Sequence, residues 1–158
     1  MTEILPLKKE DCAAAAKLEA ECLREAWSER SIAALCDSAD AAVLAAYETG
    51  DGAAGSPVGL AHCGFVLDEA HLNNVSVAPG YRRRGIAEAL MRKLFDTAKA
   101  RGCSVMFLDV RGSNTAAVSL YEKLGFARLG ERAGAYPVFD GEKIVGRENA
   151  LVMGKKLL

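Results

Sequence analysis

The 158-residue chain is 51% hydrophobic and 26% charged, with 20 basic and 21 acidic residues and a formal net charge of −1. A chain of this length buries roughly 70% of the surface its unfolded form exposes, so one domain over residues 1–158 with an ordinary core is expected. The charge balance argues against a nucleic-acid binder. No apolar run reaches the roughly 20 residues of a membrane helix, and Met1–Pro6 lacks a basic-then-apolar export signal, so a cytoplasmic location is expected. Cys12, Cys22, Cys36, Cys63 and Cys103 contain no Cys-x-x-Cys pair, and His62, Cys63 and His71 lack ligand spacing, so no metal is expected.

In chain order, Ile4–Leu7 reads as a short strand, and Asp11 as the N-cap of an alanine-rich helix running to about Arg24 with Leu18 and Cys22 on its buried face. Trp27-Ser28 interrupts that helix, and Ser28 caps a second one through Ile32, Leu35 and Cys36. Ala41–Tyr47 and Val58–Val66 read as an antiparallel hairpin joined by the turn Thr49–Pro57. Asp68-Glu69-Ala70 turns the chain into a strand over Leu72–Val77, which Pro79-Gly80 ends. From Gly85 to Arg101, Ile86, Leu90, Leu94 and Ala98 recur at helical spacing, and Gly102 closes the element. Val105–Val110 reads as a central strand apolar on both faces except at Asp109. Ser113 or Asn114 caps a helix through Leu124, and strands at Phe126–Leu129 and Ala150–Met153 finish the chain, with a hairpin turn near Asp140-Gly141. This order indicates a mixed α/β sheet.

Arg82-Arg83-Arg84-Gly85-Ile86-Ala87 places three cations where the strongest helix begins, although a helix N-terminus already carries about +0.5 of a charge. One such arginine reads as a solvated turn. Three in a row beside a glycine that lets the backbone approach closely read as a cradle for an anion, with pyrophosphate as the candidate. Neither Gly-x-x-x-x-Gly-Lys-Ser/Thr nor Gly-x-Gly-x-x-Gly is present, so nucleotide hydrolysis and dinucleotide binding lose their main support.

Strand, Arg82–Ala87, then helix resembles the acyl-CoA motif of the GCN5-related N-acetyltransferases (GNAT). Asp68–Val77, Val110–Ala117 and Leu120–Phe126, with Trp27-Ser28 and Glu148-Asn149-Ala150, look like the RimI-type ribosomal-protein-alanine N-acetyltransferases. The resemblance implies the GNAT fold: a mostly antiparallel mixed sheet splayed in the middle, with helices on both faces. It implies acetyl-CoA as acetyl donor, its pantetheine arm on the backbone of Val75, Ser76 and Val77. Its pyrophosphate would meet Arg82, Arg83, Arg84, Gly85, Ile86, Ala87 and Glu88, with Asn114 and Tyr121 also at the donor.

The same resemblance makes Tyr121 the general acid that protonates the leaving thiolate. Asp109 stands where the family has glutamate as base, and Glu69 and His71 are reserve bases acting through water. An apolar strand would raise the proton affinity of Asp109, which suits a base; a buried acid paired to Arg111 or to a backbone amide is the alternative. Trp27, His71, Arg132 and Tyr136 would bind the acceptor, a protein N-terminus. The family's Arg-x-x-Tyr-Tyr becomes Arg132–Tyr136 with Ala135 replacing the first tyrosine, and Asn149 replaces an aspartate. The activity implied is direct acetyl transfer in a ternary complex to the α-amino group of a small-subunit ribosomal protein beginning with alanine. The alternatives are an acetyltransferase of the same fold for a small amine, lysine side chain or antibiotic, and a non-catalytic acyl-CoA sensor.

Overall fold

A computed structural model of the chain describes residues 2–49 and 55–158. Seven strands form one sheet: β1 (Thr2–Pro6), β2 (Ala41–Glu48), β3 (Gly59–Val66), β4 (Glu69–Val77), β5 (Val105–Arg111), β6 (Ala127–Asp140) and β7 (Lys143–Lys156). Their order is β1-β2-β3-β4-β5-β7-β6, with only β4 and β5 parallel. Helices α1 (Cys12–Cys22) and α2 (Glu29–Asp37) cover one face, where Leu7, Ala15, Leu18, Ile32, Val43 and Leu60 form a core. Helices α3 (Ile86–Ala100) and α4 (Thr115–Lys123) cover the other through Leu90, Met91, Leu94, Met106, Val118 and Phe126.

The apolar stripe of α3 is buried as its spacing requires, from Ile86 through Leu90, Met91, Leu94, Phe95 and Ala98. This helix lies close to the sheet because β3 begins with a glycine. A Cβ at Gly59 would stand 3.0 Å from both Ile86 Cγ2 and Leu90 Cδ1. Ser28 caps α2 by accepting from the Ser31 amide at 3.1 Å. The hairpin of β2 and β3 is formed, although residues 50–54 of its connecting turn lie outside those described.

Several sequence expectations are corrected. Asp11 precedes α1 without capping it, because its carboxylate instead accepts from the Tyr47 hydroxyl at 2.8 Å. The first helix stops at Cys22, and β4 starts at Glu69, the turn falling one residue earlier around Leu67, which has a left-handed φ of 55°. β5 is buried on one face only: Met106, Leu108 and Val110 point inward, and Asp109 is exposed. The two short closing strands are one hairpin of 14-residue strands that turns at Asp140–Lys143.

The β3–β4 ladder pairs His62 with Asn74 but Cys63 with Leu72, so Asn73 is an extra residue in β4, a β-bulge. On its other side β4 pairs with β5 only at Glu69–Val105, Ala70–Met106 and His71–Phe107. Beyond these pairs the strands separate. Gly59→Val is expected to overpack the α3 contact and lower stability by about 1–3 kcal/mol in thermal or denaturant unfolding; parental stability would contradict the close approach described.

Candidate functional site: two clefts that meet between diverging strands

The bulge and the end of the β4–β5 ladder open a cleft of about 580 Å³ whose lining includes Val75, Ser76, Val77, Arg82, Arg83, Gly85, Ile86, Ala87, Glu88, Asn114 and Tyr121. At its mouth the chain is forced into a turn that bares backbone amides. Arg83 has φ 63° and Gly85, the N-cap of α3, has φ 76°. A left-handed non-glycine residue costs about 1–3 kcal/mol and persists where its surroundings impose it. No side chain caps α3, so its first amides lack intrahelical acceptors. A Cβ at Gly85 would meet nothing within 4 Å, which shows the space above the turn to be open. Such a nest of amides beside arginines fits a pyrophosphate.

The three arginines divide their roles. Arg82 donates through Nε to the Val77 carbonyl at 3.1 Å and lies 3.7 Å from the Cys22 sulfur. Arg83 lines the cleft. Arg84 does not; its guanidinium lies 5.0 Å from the centre of the Tyr81 ring. Glu88 is held by Arg92 at 2.8 Å and Lys123 at 3.4 Å, and these hydrogen bonds lower its pKa. Asn114 caps α4, its Oδ1 accepting from the Ala117 amide at 3.2 Å, while lining the same cleft.

Tyr121 sits on the inner face of α4, only 7% exposed, with its ring edge-on to Phe126. Burial, with a smaller contribution from nearby Tyr136, pushes its hydroxyl pKa well above the usual tyrosine value. It therefore stays protonated throughout the ordinary pH range, as a proton donor must.

A second cleft of about 570 Å³ is lined by Glu69, His71, Leu72, Asn73, Phe107, Leu108, Asp109, Leu129, Arg132, Tyr136 and Val152. Asn73, Asp109 and Tyr136 line both clefts, so the two meet at the gap between β4 and β5. Asp109 is neither buried nor bound to Arg111. Its Oδ2 accepts from Arg132 Nε at 3.0 Å, across the β5–β7–β6 surface. The strand alternation that buries Leu108 and Val110 turns this carboxylate outward. Glu69 and His71 pair with each other at 3.0 Å, and His71 stacks obliquely on Phe107.

Trp27 lines neither cleft; it packs against His62 at 5.1 Å between ring centres. Arg111, which the sequence offers only as a partner for Asp109, is engaged elsewhere on several sides. It binds Glu25 through Nε and Nη2, donates to the Pro137 carbonyl at 2.7 Å, approaches Glu148 at 3.4 Å and lies over the Tyr136 ring at 4.8 Å. Glu148 in turn accepts from the Ser113 hydroxyl at 2.8 Å, which with Arg111 lowers its pKa. Asn149, where an aspartate was expected, accepts from the Gly134 amide at 3.0 Å and shapes β6. These partners lie far apart in sequence, and no local signal announces them.

The acetyltransferase (GNAT) family model matches residues 12–126, and the chain belongs to that family. It is 46% identical over 88 residues to the [ribosomal protein bS18]-alanine N-acetyltransferase of Escherichia coli strain K12, covering 56% of each chain. The Haemophilus ducreyi protein of the same description is 41% identical over 96 residues, covering 61% of this chain and 63% of its own. The matched segment thus spans little more than half the length of these relatives. The crystal structure of the Escherichia coli ribosomal-protein-S18-alanine N-acetyltransferase superposes with a TM-score of 0.84 at 34% identity, covering 99% of this chain and 94% of that one. Arabidopsis thaliana NAA60 in complex with acetyl-CoA shares the fold, with a TM-score of 0.86 at 17% identity over 99% and 98% of the chains.

The raised pKa of Tyr121 means that the folded state keeps a proton the unfolded chain loses, so its contribution to stability is full below pH about 10 and declines as pH rises further. Alkaline absorbance titration is expected to superpose for the parent and for Tyr121→Phe as long as the protein stays folded, the tyrosinate signal of both rising only above pH 10 and the difference emerging on unfolding. A smaller signal from the folded variant would place this hydroxyl in solvent.

Proposed function

We propose that the protein is an acetyl-CoA-dependent N-acetyltransferase for the α-amino group of a protein N-terminus, the foremost acceptor being a small-subunit ribosomal protein beginning with alanine. The reading treats residues 1–158 as one catalytic domain acting in the cytoplasm. The observation that carries it is the meeting of the two clefts at Asn73, Asp109 and Tyr136. One cleft has an anion cradle and an exposed strand edge suited to the donor. The other offers carboxylates to an ammonium group and opens to solvent, as an acceptor at a chain end requires.

Acetyl-CoA brings an activated acyl group as a thioester. The backbone of Val75–Val77, free of β5, orients the donor arm, and the turn at Arg82–Glu88 holds its phosphates. Tyr121 donates its proton to the departing sulfur. Asp109 Oδ2 is engaged by Arg132, leaving Oδ1 to take the ammonium proton directly or through water, with Glu69 and His71 behind it on β4. An α-amino group loses its proton near pH 8 and a lysine side chain near 10.4, so a carboxylate shared with a guanidinium suits the α-amine better.

Direct transfer agrees with the cysteines. Cys12, Cys63 and Cys103 are buried, and burial pushes the Cys63 thiol to about 12. Cys22 lines the donor cleft, but its sulfur donates to the Val77 carbonyl at 3.4 Å, and the two histidines are engaged with Glu19 and Glu69.

Tyr121→Phe is expected to lower kcat by about 10²-fold while acetyl-CoA affinity stays near the parental value, since the ring and its packing remain. Unchanged turnover would remove Tyr121 from proton donation. Asp109→Asn is expected to lower kcat with the alanine-starting peptide by about 10²-fold at neutral pH, part of it recovered as pH rises past the amine's own deprotonation near 8; an unaltered kcat would move the base to Glu69 or His71. The reaction itself is tested by CoA release from acetyl-CoA with peptides of different first residue beside free lysine and a polyamine. Release with alanine-starting peptides is the expected result. Preference for the small amines, or acetyl-CoA binding without release, would contradict the proposal.

A further inference from the structure

Beneath the corner between α1 and α2 lies a polar chain that the mechanism does not use. Glu19, on the last turn of α1, and His62, in β3, have side chains with no exposure to solvent, and Glu19 Oε1 is 2.7 Å from His62 Nε2. The second carboxylate oxygen accepts from the Trp27 backbone amide at 2.8 Å. On the other side of the ring, the Asn73 side-chain nitrogen lies 3.2 Å from His62 Nδ1. An amide nitrogen only donates, so Nδ1 accepts and Nε2 carries the proton offered to Glu19. The chain thus runs from the Trp27 corner, through two fully buried side chains, to the bulge residue that lines both clefts.

Packing does not require such a chain. Replacing both partners of a buried hydrogen bond by apolar groups of the same shape is often neutral or stabilising, whereas removing one partner is costly. What the chain provides is geometry. Residues 23–28 have no regular structure, yet Leu23 and Glu25 line the donor cleft, and Glu25 binds Arg111, whose guanidinium lies on Tyr136 of the acceptor cleft. Asn74 Nδ2 donates to the Glu25 carbonyl at 3.2 Å, a second tie between the corner and β4. The donor cradle at Arg82–Glu88 meets this corner only through Arg82, whose guanidinium lies 3.7 Å from the Cys22 sulfur.

We propose that Glu19 and His62 are positioning residues for the acceptor: their buried pair locks the Trp27 corner to the β4 bulge and so sets the wall on which the incoming N-terminus is aligned. This inference rests on the proposed acetylation of an N-terminal amine. It separates acceptor recognition from donor binding, which a general loss of stability would not do.

Trp27 is the sole tryptophan and contacts His62, so its emission reports the corner without turnover. Glu19→Gln keeps the side-chain volume but presents an NH2 group to one of its two donors. It is expected to shift Trp27 emission, raise KM for an alanine-starting peptide about tenfold, and leave KM for acetyl-CoA within about twofold. His62→Leu combined with Glu19→Leu is expected to unfold near the parental temperature and yet keep the raised peptide KM. If that double variant has parental peptide KM and Trp27 emission, the pair serves packing alone and the proposal is overturned. In the unaltered protein loaded with CoA, the same peptide is expected to change Trp27 emission; saturating peptide without any change would also overturn it. Absence of acceptor-dependent CoA release in the unaltered protein would instead count against the proposed reaction.

Discussion

The parting of β4 from β5 after three paired residues is the constraint on which the site depends. A sheet interior normally satisfies every backbone amide and carbonyl. Here the bulge at Asn73 increases the twist of β4, and from Leu72 onward its edge loses β5 as a partner. The fold tolerates this because the cost is local: α3 and α4 seal one face below the gap, α1 and α2 the other, and the Val77 carbonyl is taken by Arg82 and Cys22. What remains is an exposed strand edge at the base of a cleft, with the bare amides of α3 at its mouth.

Charge then divides the space. Three arginines reinforce the positive end of α3, the reverse of what an unliganded helix favours. In the second cleft Glu69 pairs with His71 and Asp109 with Arg132, while Arg111, which lines the first, holds Glu25 and Glu148, so the junction is built of ion pairs rather than a uniform field. Arg132 and Asp109 are well exposed, and a pair of that kind contributes little to stability, on the order of 0–1 kcal/mol. It is consequently easy to rearrange, as the proposed acceptor amine requires. Arg111, only 19% exposed and held by Glu25, the Pro137 carbonyl, Glu148 and the Tyr136 ring, is the rigid counterpart that joins the α1–α2 corner, β5 and the β6–β7 hairpin.

The features legible in the sequence are those whose cause is local. The α3 stripe, the Ser28 cap and the arginine turn each follow from residues within one or two turns of chain, and all three are formed. The sequence shows only the apolar ends of the β6–β7 hairpin, because Gly134, Pro137 and a run of exposed polar residues hide a strand that faces solvent. For Asp109 the alternation with Met106, Leu108 and Val110 puts it on the open face, a signal masked by the apolar Val105 and Phe107. The Glu19–His62–Asn73 chain and the Arg111 hub join residues 11 to 86 positions apart, and no spacing rule brings such groups together.

The most direct test of a donor cleft and an acceptor cleft meeting at Asp109 is the affinity of a single molecule spanning both: CoA joined through its acyl group to the α-nitrogen of an alanine-starting peptide. Two clefts continuous through the gap predict binding at least about 10²-fold tighter than CoA or the peptide alone, because the second half binds at high effective concentration. A conjugate that binds no more tightly than CoA would show that the clefts do not form one reaction path, and would contradict the account.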